Sequence, residues 1–201
     1  MISEMRRAAR SVRAIGVKTV GLRLACHDRG NEGRVVRRAE LIRYLVLAAQ
    51  REGNRRLAGE LRELGLTPSQ AEVLRILGDH EPLTLSGLGA LLVCESGTNP
   101  SRLVDRLVEA GLVARVNAID DRRRVELTLT AAGRERESAV RSVEERLYGT
   151  IDSAFAGIDA EPVVEVLRRL SAGEPSGIAL AERIRANDEL ASGNARTEVT
   201  P

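Results

Sequence analysis

AIDDRRRVELTLTAAG, residues 118–133, puts two acids and three arginines directly ahead of a run in which Val125, Leu127 and Leu129 alternate with polar residues. Alternation of that kind is the signature of a half-buried β-strand. LVARV just upstream (112–116) reads as a second strand, so the charged residues between the two form a hairpin tip. Three adjacent like charges repel one another and are costly to bury unpaired. They become favourable where a narrow minor groove concentrates negative potential. Asp120 and Asp121 stand ready to hold an arginine extended through charge-assisted hydrogen bonds. The plain alternative is a solvated hairpin tip, and what precedes the hairpin decides between the two.

Upstream, Thr67-Pro68-Ser69 opens a helix. Thr67 can cap it, Pro68 suits its first turn, and Gln70 stands at the capping-box distance. Its stripe is Val73, Leu74 and Leu77, ending at Gly78. Pro82–Leu85 reads as a short extended piece, after which Ser86 caps a helix with Leu88, Leu91 and Leu92 inward. A polar turn, CESGTNP (94–100), leads to SRLVDRLVEAG (101–111), a helix with Leu103, Leu107 and Val104 or Val108 inward and Gly111 as its left-handed stop. Helix, short strand, helix, turn, helix, strand, tip, strand is the order of a winged helix-turn-helix. Its second short helix presents one exposed edge, whose N-terminal residues can enter a major groove about 12 Å wide.

Charge adds a condition. Residues 67–133 carry seven arginines against nine acids, so no overall basic field announces nucleic-acid binding. Affinity has to come from placement, with Arg102 and Arg106 on the recognition helix and Arg122, Arg123 and Arg124 at the tip. Glu72, Asp79 and Glu81 must then lie elsewhere.

The flanks read as helices. From Glu40 to Leu64 apolar residues fall at helical spacing, interrupted near Gly53-Asn54, which predicts one long helix or two. Thr130 caps a long helix in which Val140, Val143, Leu147, Ile151, Ala154 and Ile158 form a near-heptad seam suited to another helix. Pro162 begins a further helix with Val163, Val166, Leu167 and Leu170 on one side. Beyond Ala172 the chain turns Gly-, Ser- and Glu-rich, which predicts at most a loose helix at 178–190 and a disordered end. The expected architecture is mainly α with a small β-wing. A winged helix-turn-helix at 67–130 is flanked by dimerisation helices at 38–66 and 131–173, a basic extension at 1–37 and a flexible tail at 174–201.

Composition narrows the function. No apolar run of 18 residues exists, and the basic start lacks an apolar stretch with a cleavage site, so a cytoplasmic protein with no membrane span is expected. Residues 1–38 carry ten basic residues against three acids. They read either as a poorly ordered extension or as an arm that touches phosphates. Two cysteines (Cys26, Cys94) and two histidines (His27, His80) supply no metal-ligand spacing, no cofactor motif appears, and no nucleophile–base pair points to an enzyme.

LTPSQAEVLRIL, SGLGALL, NPSRLVDRLVEAGLVAR and DDRRRVELTLTAAG together resemble the MarR family of bacterial transcriptional regulators, over roughly residues 38–172. RLVDRLVEAGLV joined to DRR…LT..G is the most specific part. The resemblance implies a winged-helix homodimer with interlocked N- and C-terminal helices that binds pseudo-palindromic operators in double-stranded DNA and usually represses. By the same resemblance Asp121 and Arg123 match the wing aspartate and minor-groove arginine, with Arg122 next to them. Ser101, Arg102 and Arg106 match recognition-helix positions that touch bases or phosphates, and Leu129, Thr130 and Gly133 match the structural close of the wing. The turn VCESGTNP is about one residue longer than the family pattern, with Pro100 inside the helix start, so Thr98 and Asn99 stand open between base contact and capping. Many relatives sense phenolic small-molecule effectors between the dimer helices and the winged helix. Tyr44 and Tyr148 are the ligand-binding candidates, with Phe155 completing the aromatic set and plain packing as the alternative. Some relatives sense oxidants through a cysteine near the first helix, a position that neither Cys26 nor Cys94 matches. The rival expectation is a winged helix used for protein–protein contact, consistent with the acidic balance of the module.

Overall fold

The computed structural model describes residues 36–93, 99–118 and 124–197. The chain divides into two units, residues 1–41 and 42–201, and the elements below belong to the second apart from the first residues of α1.

Helix α1 (Arg38–Glu63) runs unbroken through Gly53-Asn54. Leu61 is its one fully buried side chain among the described residues, while Ile42, Tyr44, Leu45, Val46 and Leu47 stand exposed. Helix α2 (Pro68–His80) opens on the expected capping box. The Gln70 N–H donates to Thr67 Oγ1 at 3.3 Å and the Thr67 N–H to Gln70 Oε1 at 2.9 Å. The helix outruns the expected stop at Gly78 because the Glu81 N–H still donates to the Leu77 carbonyl at 2.9 Å. Pro82, without an N–H, then ends the ladder.

Helix α3 (Leu85–Leu91) is capped by Thr84, not by Ser86 as the sequence suggested. Thr84 has the extended backbone of a cap, and Gly87 lies three residues on, so Thr84 Oγ1 accepts the Gly87 N–H at 3.1 Å. Helix α4 (Pro100–Glu109) follows. It ends at Gly111, whose φ of 69° supplies the expected left-handed stop.

Strands β1 (Val113–Asn117) and β2 (Val125–Leu129) pair antiparallel from Val113↔Leu129 to Asn117↔Val125. Leu83 bridges Leu127 with two backbone hydrogen bonds, so the extended piece before α3 adds a third, one-residue rung. At the other end the Ala118 N–H donates to the Arg124 carbonyl at 2.8 Å.

Helix α5 (Ala131–Ala154) is capped by Thr130 and bound tightly to the wing base. Thr130 Oγ1 accepts the Gly133 N–H and donates to the Gly111 carbonyl at 2.7 Å. A Cβ on Gly133 would overlap the Leu112 carbonyl oxygen, so only glycine admits this approach. The near-heptad seam divides. Val140 and Val143 are buried in the chain's own core, whereas Ile151 is exposed and Ile158 falls past the end of the helix.

Helix α6 (Glu161–Ser171) has no buried residue. The expected flexible tail is instead helix α7 (Pro175–Thr197), which packs against α3 and α6. The core joins α2, α3, α4, the wing and the first half of α5 through residues such as Leu74, Leu77, Leu88, Leu107, Leu127 and Val140. Each fully buried leucine contributes about 1.5–3 kcal/mol relative to exposure.

Candidate nucleic-acid interface

Helix α4 is built to present one face. Leu103, Val104 and Leu107 are buried, and Arg102 and Arg106 are exposed on the other side. Neither arginine has an ion-pair partner among the described residues. Pro100 occupies the first turn, where its missing N–H costs nothing. Asn99 is the cap: its Oδ1 accepts the Ser101 N–H at 3.0 Å. Asn99 remains exposed and Ser101 is half-buried.

Four sequence-level candidates, Thr98, Asp121, Arg122 and Arg123, lie outside the described residues, as do Cys26, Cys94 and the arm 1–35. Arg124 is described at the tip end of the wing, just before β2, where it pairs with Glu126 at 2.9 Å. Thr84, Ser86, Asn99, Ser101 and Arg124 help to line one cleft of about 550 Å3 between the N-terminal ends of α3 and α4 and the start of β2. Ser86 was read from sequence as a cap. Released from that task by Thr84, its hydroxyl faces this cleft and bonds Thr84 Oγ1 at 3.1 Å. Two hydroxyl residues two positions apart at the helix start were the available signal.

Electrostatics meet the condition set by the charge count. Asp79 pairs with Arg141 of α5 at 2.6 Å and with Arg75 at 3.5 Å. Glu81 pairs with Arg134 of α5 and accepts the Leu129 N–H. Glu72 is buried and pairs with Arg183 of α7 at 3.3 Å. Asp105 is taken by Arg115 and Glu126 by Arg124. The acids Glu72, Asp79, Glu81, Asp105 and Glu126 are therefore neutralised within the protein, and Arg102 and Arg106 have no acid partner among the described residues.

Behind this face a buried network ties α2 to α5. Arg75 donates to Glu137 at 2.5 Å and to Glu144 at 2.9 Å. Burial works against the Arg75 charge, but Glu144, Glu137 and Asp79 outweigh it and hold its pKa above the ordinary guanidinium value. Tyr148 lies next to this network, its hydroxyl 3.4 Å from Glu144. Burial first, and then the Glu144 charge, push its phenol pKa up. Tyr44 is exposed on α1 under the guanidinium of Arg43, so the two tyrosines have separate surroundings in the single chain.

Comparison with known proteins agrees with this geometry. The model of the MarR family matches residues 64–124. The transcriptional regulator SarZ of Staphylococcus saprophyticus is 28% identical over 109 residues, covering 54% of this chain and 74% of that protein. The organic hydroperoxide resistance transcriptional regulator of Bacillus subtilis is 32% identical over 90 residues, 45% of this chain and 60% of the relative. Among solved structures, CouR from Rhodococcus jostii bound to p-coumaroyl-CoA superposes with a TM-score of 0.54 at 25% identity, over 67% of this chain and 92% of that one. SarZ and the hydroperoxide resistance protein are both regulators of transcription. Residues 64–124, which hold most of the winged helix-turn-helix with its capped and exposed α4, are thus similar to the MarR family.

Proposed function

We propose that the chain acts in the cytoplasm as a sequence-specific DNA-binding repressor, a homodimer on a pseudo-palindromic operator. Each α4 enters a major groove, Ser101, Arg102 and Arg106 meet bases or phosphates, and Arg122, Arg123 and Arg124, oriented by Asp121, reach the minor groove. Asn99, the cap, sits at the edge of the same surface, and Thr98, which precedes it in sequence, is assigned to DNA contact with it. The observation that carries the reading is the exposed pair Arg102 and Arg106, without an acid partner among the described residues, on a helix whose opposite face is core.

The dimer is supported by apolar surface that a single chain leaves in water. Helix α6 has Val166, Leu167 and Leu170 exposed and α1 has Ile42, Leu45 and Val46 exposed. An 11-residue helix with no buried side chain is not held by intrinsic propensity alone. Contiguous apolar patches of this kind mark interfaces. Pairing α1, α6 and the second half of α5 with the same elements of a second copy would cover them. A small-molecule effector belongs to the reading, since CouR binds p-coumaroyl-CoA. Tyr148, beside the network that links α2 to α5, and Tyr44, on the dimer helix, are the residues assigned to it.

Fluorescence anisotropy on the duplex upstream of the chain's own gene, against a shuffled duplex of equal composition, tests the proposal. Arg102→Ala is expected to cost about 1–3 kcal/mol of discrimination if Arg102 reads a base. Arg106→Ala is expected to lower the salt slope by about one if Arg106 meets a phosphate. Equal binding to both duplexes, insensitive to salt, refutes the reading and favours a protein–protein module.

A further inference from the structure

We propose that the cleft between α6 and α7 binds a small carboxylic acid with an apolar body, at a site separate from the one assigned to Tyr44 and Tyr148. The cleft has a volume of about 530 Å3, within the roughly 300–1,000 Å3 typical of small-molecule sites. Val164 and Leu167 of α6 line it together with Ile178, Ala181 and Ile184 of α7. Val164, Leu167, Ile178 and Ile184 are all exposed, so the single chain leaves these walls uncovered. The joint between the walls is fixed. A Cβ on Gly177 would overlap the Ser171 carbonyl oxygen, so the end of α6 and the start of α7 meet backbone to backbone. Helix α7 is held from its other face. Ala179 is buried there, and Ala186 and Leu190 share a second cleft with His80, Leu83 and Leu91 of the winged helix-turn-helix. Ala179, Ala186 and Leu190 recur at helical spacing on one side of α7, and Gly177, Ala181 and Ile184 do so on the other.

Charge and size select the occupant. Arg168 is the one charged side chain among the described residues that line the cleft. Its Nη1 donates to Glu165 Oε2 at 3.1 Å, while Arg169 donates to Glu165 Oε1 at 2.6 Å. One carboxylate serves two guanidiniums, so these three residues keep a net positive charge at the rim. A carboxylate on the ligand balances it through a charge-assisted hydrogen bond to Arg168, with the apolar body laid between Leu167 and Ile184. The stretch 1–38, with ten basic residues against three acids, carries the wrong charge for the same place. A second copy fits poorly as well. One turn of helix, about 10 Å wide and 5.4 Å long, takes roughly 400 Å3, so the cleft holds little more than one turn. A stable protein interface needs about 800 Å2 from each partner. The face of α6 left for a second copy is a different one. Val163, Val166 and Leu170 lie about a third of a turn round the helix from Val164, Arg168 and Ser171.

The test titrates the full-length chain, labelled at its isoleucine methyls, with decanoate below its micelle-forming concentration and follows it by NMR. The methyls of Ile178 and Ile184 are expected to shift and saturate, while those of Ile42, Ile76 and Ile151 stay in place. 1-Decanol, the uncharged probe, is expected to bind about tenfold more weakly, and decyltrimethylammonium not to bind. Arg168→Gln is expected to bring decanoate down to the level of 1-decanol. Ala181→Trp, which fills the cleft, is expected to remove the binding of both. If Ala181→Trp does not fold, the methyl shifts of the natural chain and the Arg168→Gln titration decide, since Arg168 is an exposed side chain whose loss leaves the core intact. The inference is overturned if decanoate moves no methyl, or moves Ile42 or Ile151 in place of Ile178 and Ile184, which puts it among the dimer helices. It is equally overturned if 1-decanol binds as tightly as decanoate, or if Arg168→Gln binds decanoate as well as the natural chain does. Dilution that shifts Ile178 and Ile184 without any ligand, as dimers part, shows a second copy in the cleft and overturns it too.

Discussion

Replacing Gly133 with Ala probes the joint where the wing meets the long helix. The added Cβ would overlap the carbonyl oxygen of Leu112 and lie 3.0 Å from its carbon and 3.4 Å from Leu129 Cβ. Carbon atoms rest comfortably at about 3.5–4.0 Å, so the Leu112 peptide has to move by roughly half an ångström or more. That peptide is already committed: its oxygen accepts the Thr130 N–H at 3.1 Å and lies 3.3 Å from Thr130 Oγ1. Overpacking of this kind costs about 1–3 kcal/mol, and weakening one hydrogen bond adds about 1 kcal/mol. The expected loss is about 2–4 kcal/mol, read as a fall in the urea midpoint at unchanged slope. Gly149→Ala is the control, since a Cβ there meets nothing within 4 Å on an exposed turn of α5. It is expected to be neutral or to stabilise by up to about 1 kcal/mol, because alanine favours helix. Should Gly133→Ala prove no more harmful than Gly149→Ala, the close approach of Leu112 to α5 would be wrong.

Two further outcomes follow from the packing. Arg75→Met removes the shared partner of Glu137, Glu144 and Asp79 and is expected to destabilise the fold by about 2–4 kcal/mol; a denaturation midpoint equal to that of the natural chain would contradict the buried network. Leu170→Glu places a charge on a side chain 65% exposed in the single chain, so light scattering is expected to show monomers with the secondary structure intact; an unchanged mass would remove α6 from the dimer interface.

Much of the reading head was legible because its signals are local. Thr67 with Gln70, Gly111, and Thr130 with Gly133 each act within a few residues, and each does what its spacing suggested. What escaped depends on contacts distant in sequence. Thr84 and Ser86 both offer a hydroxyl, and the choice between them turns on which residue is extended beside the Leu83–Leu127 bridge. The stripe from Val140 to Ile158 looked like one surface, but α2 takes its first two members, and periodicity cannot say whether a stripe meets its own chain or another. Helix α7 is longer than the loose helix expected at 178–190; its apolar residues are sparse, and its anchor, Arg183 on Glu72, joins positions that no local pattern connects. The net charge of the module was equally silent on where its acids go. Of the proposed contacts, Arg102 and Arg106 are exposed on α4, and the wing tip 119–123 lies outside the described residues.

The central claim is that two reading heads of one dimer meet a single duplex. Hydroxyl-radical footprinting of the DNA upstream of the chain's own gene tests it most directly. The account predicts two protected patches related by a two-fold axis, centred about 34 Å apart, and both lost as salt rises. One isolated patch, or none at low salt, would contradict it.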